Sequence, residues 1–90
     1  MAQKPLTQQD QRIAALGLAV RDARLQAGIS QEKLAEAALL HRNVIGRVER
    51  GETIVTISTL FGIADALGVS ASSLLRGAEQ LKNEPLHPSR

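Results

Sequence analysis

The sequence predicts an all-α fold, a compact domain of five helices. Apolar residues recur along the chain with helical periodicity, glycines follow the periodic stretches, and hydroxyl side chains stand where new stretches begin. Glycine is favoured just past a helix end because that position often needs a positive φ. The one β-branched cluster, residues 53–57, is too short for a strand and is interpreted as a connection.

Each helix has a predicted start, a predicted stop and one apolar stripe. The predicted N-caps are Thr7 (with Asp10 three residues later), Ser30, Thr56 and Ser70. The predicted stops are Gly28, Gly51, Gly68 and Gly77. The helices are therefore expected at about 8–27, 31–38, 42–50, 57–67 and 71–76.

Ninety residues are expected to form one domain with a modest core, which we place at residues 12–77. Residues 1–11 are interpreted as a polar N-terminal arm that includes the start of helix one. Residues 78–90 are interpreted as a C-terminal tail that is partly flexible. The tail contains Pro85 and Pro88, and fraying is expected beyond about Asn83.

Composition excludes several classes of protein. The chain has one Phe and no Tyr or Trp, so it lacks the aromatic rings on which readers of single-stranded nucleic acid stack bases. It has no cysteine, which argues against disulfides and thiolate metal sites and favours the cytoplasm. No apolar run approaches the ~20 residues that span a bilayer, and the polar start does not resemble a signal peptide.

The positive charge is concentrated in the first half of the chain. Residues 12–51 contain seven basic and four acidic side chains, whereas the residues from Glu52 onward contain three basic and four acidic ones. A local excess of this sign suits the phosphate backbone of a nucleic acid, although the net charge is only +2.

Helices two and three have the spacing of a helix-turn-helix, with a connection expected at residues 39–41. Ala35 is small where the two helices would cross closely, and Leu40 is expected beneath the turn. Ile45 and Val48 are expected to anchor the second helix of the motif inward. In such a unit, the second helix enters the major groove of DNA and presents its N-terminal residues to the base edges.

The outward positions of this second helix are the candidate DNA contacts. Arg42, Asn43 and Arg47 are predicted base contacts, because Arg can bind guanine and Asn can bind adenine bidentately. Phosphate contacts are predicted for Gln31, at the start of helix two, and for His41 and Arg50. For Arg50 the alternative is a cation that only stabilises the helix end.

Arg24 and Glu49 are predicted to form a structural ion pair. Arg24 is a cation on the buried stripe of helix one, and Glu49 lies beside the inward-facing Val48. Removing one partner of such a buried pair costs about 3–5 kcal/mol, because the other is left buried and unpaired.

Three stretches resemble the Cro/phage-repressor-type (Xre-like, lambda-repressor-like) helix-turn-helix family. They are Gly28 to Ala35, Ile45 to Gly51, and Leu60 through Ala64 to Ser70, ending in Leu74-Leu75. The resemblance covers about residues 16–77. It implies the five-helix lambda-repressor-like fold, operator binding as a homodimer, base contacts from Arg42, Asn43 and Arg47, and a phosphate contact from Gln31. The family also often pairs an Arg of helix one with the Glu equivalent to Glu49.

The chain departs from the family pattern at three positions. Leu39 stands where the family usually has Gly, so the turn is expected to be either strained or differently built. His41 replaces the usual Ser or Thr cap of the recognition helix. Gly46 lies where a longer polar residue is common, which removes one possible base contact.

The expected function is a sequence-specific regulator that binds double-stranded DNA as a homodimer. The alternative is an antitoxin-like or other protein-interaction module with the same fold. A tentative dimer interface is assigned to an apolar patch: Ile54, Val55, Leu74, Leu75 and Leu81. No enzyme, cofactor, membrane or small-molecule partner is expected, and His41 and His87 are too far apart in sequence to suggest a metal site.

Overall fold

The protein is described here by a computed structural model that covers the backbone of residues 7–83 and the side chains of residues 7–81. These residues form five helices: α1 (Gln8–Ala27), α2 (Gln31–Ala37), α3 (Val44–Glu49), α4 (Ile57–Leu67) and α5 (Ala71–Asn83). Residues 7–83 contain no strand, so the predicted all-α class is confirmed. His87, Pro85, Pro88 and the fraying expected beyond Asn83 lie outside the described residues.

The predicted N-caps begin the helices as expected. Thr7 and Asp10 form a capping box, in which the Thr7 hydroxyl accepts from the Asp10 N–H at 3.0 Å and the Asp10 carboxylate accepts from the Thr7 N–H at 3.1 Å. The hydroxyls of Ser30, Thr56 and Ser70 each accept from the backbone N–H three residues later. Each of these side chains therefore satisfies an N–H group that the helix itself leaves free.

The predicted stop of the fifth helix is wrong. α5 does not end at Gly77 but continues to Asn83, so residues 78–83 of the predicted tail are helical. Gly77 packs against α1, where a Cβ built on it would lie 3.4 Å from the Cβ of Ala19. Ala78 is buried against the same helix. Gly77 thus serves the close packing of α5 on α1 and does not close a helix.

The recognition helix α3 is shorter than predicted. It begins at Val44 and not at residue 42, and the connection from α2 covers residues 38–43, not only 39–41. Asn43 has helical backbone angles but makes no side-chain capping hydrogen bond. The His41 imidazole instead accepts from the Asn43 N–H at 3.4 Å, a long hydrogen bond that marks a weak start for this helix.

One apolar core joins all five helices. Its buried members are Val20, Leu34, Ala35, Ile45, Val48, Leu60, Ile63, Ala64 and Leu74. Leu40, in the connection before α3, is partly buried and packs against this cluster, in keeping with its expected place beneath the turn. The anchors of the helix-turn-helix are therefore core residues, and the recognition helix is held by burial of its inner face.

No single helix within residues 7–83 is long and apolar enough to cross a membrane. α4 and the first part of α5 reach that length and apolarity only together, and they are bent by 103° at the break between them. Their apolar residues Leu60, Ile63 and Leu74 are buried in the core.

The closest backbone approach lies between α1 and the end of α3. Gly17 is buried, and a Cβ built on it would lie 2.2 Å from the Val48 carbonyl oxygen and 2.9 Å from that of Glu49. Gly51, with φ of 72°, then turns the chain away beside Ala14. Any side chain at position 17 would force α1 and α3 apart, so Gly17 sets the position of the recognition helix.

The predicted pair of Arg24 and Glu49 lies at the same α1–α3 contact. Arg24 Nε donates to Glu49 Oε2 at 2.6 Å, and Nη2 donates to Oε1 at 3.1 Å. Nη1 donates to the Ile29 carbonyl oxygen at 2.9 Å. Both residues are buried, at 9% and 8% exposure. The hydrogen bond to Glu49 raises the pKa of Arg24, against the opposing effect of burial.

Gly17→Ala is expected to destabilise the protein by about 1–3 kcal/mol or more, because backbone atoms of α3 occupy the space of the new methyl group. Gly62→Ala is the matched control, since a Cβ there would make only an ordinary contact of 3.7 Å with the Ala38 carbonyl oxygen. The control should gain up to ~1 kcal/mol from helix propensity. Urea unfolding measures both, and equal stabilities of the two variants would contradict the close approach.

The turn between α2 and α3 keeps the left-handed conformation with Leu39 in place of glycine. Leu39 has φ of 59°, the only positive φ of a non-glycine residue within the described chain. Its side chain is 92% exposed, so packing offsets little of the strain. Of the two alternatives from the sequence, the structure therefore supports the strained turn.

Leu39→Gly is expected to stabilise the protein by about 0.5–1 kcal/mol, because it removes a left-handed strain of ~1–2 kcal/mol at some cost in chain entropy. Leu25→Gly is the control, since Leu25 is an exposed residue inside α1. The control should lose about 1 kcal/mol. Thermal unfolding of both variants checks the opposite signs; a loss of stability in Leu39→Gly would show that the turn is unstrained.

Candidate DNA interface

The outward side of α3 presents a single row of positions. Residues 43, 46, 47 and 50 follow the helical spacing i, i+3, i+4, i+7 and so share one face. Asn43, Arg47 and Arg50 are exposed on it, and Arg42 is exposed in the turn just before the helix. These residues border a shallow depression of about 400 Å³, which is lined by Gln31, Glu32, Arg42, Asn43, Gly46, Arg47, Arg50 and Glu52.

The three predicted base contacts are all free of other partners. No hydrogen bond or ion pair within residues 7–81 uses the side chain of Arg42, Asn43 or Arg47. Their guanidinium and amide groups face solvent beside one another. Groups of this kind match the hydrogen-bonding edges of guanine and adenine in the major groove.

Gln31, the predicted phosphate contact, is also tied to the buried ion pair. Its Nε2 donates to Glu49 Oε1 at 2.9 Å, so Glu49 binds both Arg24 and Gln31. One of the two Nε2 hydrogens remains available to a further acceptor. The sequence analysis did not anticipate this contact, because the two residues are 18 positions apart and no spacing rule connects them.

The sequence suggested that Gly46 is an open position on the outward face, but the structure shows that it is covered. It is buried, because the ends of two neighbouring side chains cover it. A Cβ built on Gly46 would lie 3.1 Å from Arg50 Nη1 and 3.3 Å from Gln31 Oε1. Two polar groups therefore occupy the space that a side chain at position 46 would take.

Glu52 is a member of the site that the sequence analysis missed. Arg50 Nε donates to its Oε2 at 3.0 Å, and both side chains are more than half exposed. The Arg50 hydrogen bond lowers the pKa of the Glu52 carboxyl, against the opposing effect of desolvation, and the charges of Arg50 and Arg47 also lower it. The same hydrogen bond raises the pKa of Arg50. The depression thus carries three arginines and two glutamates.

His41 lies at the start of α3 with an exposed side chain. Its Nδ1 accepts from the Asn43 N–H, which leaves Nε2 as the N–H donor of a neutral ring. That donor is on an exposed side chain in the connection that precedes the recognition helix. Within residues 7–81 no three His, Cys, Asp or Glu side chains are close enough to hold a metal ion.

A second surface, the α1–α5 groove, lies outside the depression. It has a volume of about 480 Å³ and is lined by Gln9, Arg12, Ile13, Leu16, Ile54, Val55, Leu75, Ala78 and Glu79. Ile54 and Leu75 are 69% and 44% exposed there, and Val55 is partly buried.

Two residues of the predicted apolar patch lie elsewhere. Leu74 is only 3% exposed, because it faces the common core beside Val20 and Leu60, so its assignment to an interface is wrong. Leu81 packs against Ala15 and Ala19 on α1 and does not line the α1–α5 groove.

The chain matches known proteins in sequence over most of its length. A family model described as Helix-turn-helix matches residues 20–74. Control protein C.SmaI of Serratia marcescens is 51% identical over 65 residues, which cover 72% of this chain and 76% of that protein. Control protein C.BamHI of Bacillus amyloliquefaciens is 43% identical over 60 residues, which cover 66% and 74% of the two chains.

Solved structures share the fold. The restriction-modification controller protein C.AhdI of Aeromonas hydrophila superposes with a TM-score of 0.68 at 34% identity, over 69% of this chain and 94% of that one. The clp gene regulator ClgR of Corynebacterium glutamicum superposes with a TM-score of 0.76 at 31% identity, over 89% and 80%. Together with the helix-turn-helix described above, these matches show that the chain belongs to the Cro/phage-repressor-type helix-turn-helix family of DNA-binding transcriptional regulators.

Proposed function

We propose that this protein is the controller of a restriction-modification system, which binds a two-fold symmetric operator as a homodimer and regulates transcription from it. The observation that carries the proposal is a set of donors on Arg42 and Asn43, just before α3, and on Arg47, on its outward face, which have no hydrogen-bond partner within residues 7–81. The controller role is supported by the identity to C.SmaI and C.BamHI over most of their lengths. Such a regulator acts in the cytoplasm and needs no catalytic group.

The depression around α3 is the surface that we place in the major groove. Arg42 and Arg47 can each bind O6 and N7 of a guanine, and Asn43 can bind N6 and N7 of an adenine. Because none of these side chains has a hydrogen-bond partner among residues 7–81, binding DNA breaks no hydrogen bond within that part of the chain at these three positions. That lowers the free-energy cost of forming the base contacts.

Backbone contacts are assigned to residues at the edge of the depression. The free Nε2 hydrogen of Gln31 and the Nε2–H of His41 are the donors proposed to bind phosphate oxygens. Gln31 is held at 2.9 Å by Glu49, which is itself fixed by Arg24. A phosphate bound there would fix the depth of α3 in the major groove of DNA without distinguishing one base from another.

The α1–α5 groove is assigned to the dimer. Its floor is apolar, and its rim carries Arg12 and Glu79, so two copies related by a two-fold axis can place these opposite charges against each other. Exposed Ile54 and Leu75 supply the apolar contact. Two-fold dimers of such domains contact half-sites about 34 Å apart. If the groove binds a different protein, the alternative of an antitoxin-like module is favoured.

Arg47→Ala should weaken binding to the operator by about 1–3 kcal/mol and relax the preference for one base pair in each half-site. The measurement is fluorescence anisotropy with the sequence enriched from a random duplex pool and with scrambled DNA of the same length. Arg76→Ala is the control, because it removes the same charge from an exposed position on α5. Equal losses on both DNAs for Arg47→Ala would contradict base recognition by this residue.

Leu75→Glu should convert a dimer to a monomer without unfolding it, because Leu75 is partly exposed in the α1–α5 groove. Sedimentation velocity at micromolar concentration measures the change. Leu25→Glu, at an exposed leucine outside the groove, should leave the dimer intact. A wild-type protein that sediments as a monomer on its operator, or a Leu75→Glu variant that stays dimeric, would refute the assignment.

A further inference from the structure

The guanidinium of Arg50 lies over Gly46, the position on the outward face of α3 that has no side chain. Arg50 lies four residues after Gly46, and helical side chains lean back over the preceding turn. The end of Arg50 accordingly covers Gly46, with Nη1 3.1 Å from the place of a Cβ. Its guanidinium is therefore on the face shared with Asn43 and Arg47, and it does not extend from the helix end toward the flanking backbone.

Glu52 restrains Arg50 in this position, and Gln31 borders the same site. Glu52 Oε2 accepts from Arg50 Nε at 3.0 Å, which fixes the direction of the guanidinium plane. The Gln31 Oε1 atom lies beside the same empty site, 3.3 Å from the place of the Gly46 Cβ. Nη1 and Nη2 make no hydrogen bond to residues 7–81 and keep their donors for another acceptor.

We infer that Arg50 reads a base, with guanine as its target, and that Gly46 and Glu52 are positioning residues that fix its guanidinium on the reading face. The inference rests on the proposed function and deepens it. It replaces the phosphate contact that the sequence suggested for Arg50. A planar guanidinium binds O6 and N7 of guanine in the major groove through two parallel hydrogen bonds.

Electrostatics favours a base over a phosphate as the target. Glu52 is ionised and lies in contact with Arg50, so a phosphate near this pair would meet a negative charge as well as a positive one. The pair therefore adds little to the sequence-independent attraction for DNA. A guanine edge carries two acceptors and no net charge, so it gains the hydrogen bonds of Arg50 without the repulsion from Glu52.

The test compares wild type with four variants: Arg50→Ala, Arg50→Lys, Gly46→Ala and Glu52→Gln. Each protein is used to enrich sequences from a random duplex pool. Fluorescence anisotropy then measures its affinity for the enriched DNA and for scrambled DNA. Arg50→Ala should lose about 5- to 150-fold in affinity for the enriched site, and the loss should map to a base pair different from that of Arg47. Arg50→Lys should not restore the preference, because an ammonium cannot form the paired hydrogen bonds.

The positioning residues have their own expected results. Gly46→Ala should weaken the preference at the same base pair, since its methyl group displaces Arg50, while circular dichroism shows an intact fold. Glu52→Gln should weaken that preference yet bind scrambled DNA more tightly, because a negative charge is lost. Arg76→Ala, the charge-matched control, should leave the enriched sequence unchanged.

The results distinguish a failure of this inference about Arg50 from a failure of the proposed function. Suppose that wild type enriches a sequence, that Arg50→Ala loses affinity equally on both DNAs, and that Arg50→Lys restores it. Arg50 would then be a phosphate contact, and only this inference would be overturned. An unchanged enriched sequence for Gly46→Ala and Glu52→Gln would overturn their positioning role. A wild-type protein that enriches no sequence would overturn the proposed function together with the inference.

Discussion

The close contact between α1 and the end of α3 fixes the recognition helix. Gly17 lets the carbonyl oxygens of Val48 and Glu49 approach the α1 backbone, and no larger residue fits there. The Arg24–Glu49 pair closes the same contact with two hydrogen bonds. A six-residue helix has little stability of its own, so its position depends on packing against α1 and on burial of Ile45 and Val48.

A chain of polar contacts extends from this buried contact to the surface that we propose meets DNA. Glu49 accepts from Arg24 inside and from Gln31 at the surface, and Gln31 in turn borders the empty side of Gly46 next to Arg50. The buried Glu49 carboxylate thus holds Gln31 at the edge of this surface, so one of the proposed contacts is positioned in the free protein. Such positioning reduces the entropy lost on binding.

The sequence predicted most of the fold because its signals were local. Hydroxyl caps such as Ser30 and the glycine after α1 act over three or four residues, and the structure has them as predicted. Gly77 was misjudged because a helix-interior glycine that packs on Ala19 looks the same in sequence as a stop. The contacts of Gln31 with Glu49 and of Arg50 with Gly46 were not predicted. They depend on how helices cross and on which rotamer a long side chain adopts.

The outward face of α3, held by α1, is the surface that we propose meets DNA. Nuclear magnetic resonance of the ¹⁵N-labelled protein, titrated with its enriched duplex, tests this proposal. We expect the largest shifts at the amides of residues 42–50 and at the side-chain Nε–H of Arg47, with the Nε–H of Arg24 nearly unchanged in its buried pair. Shifts concentrated on α4 and α5, with α3 unaffected, would contradict it.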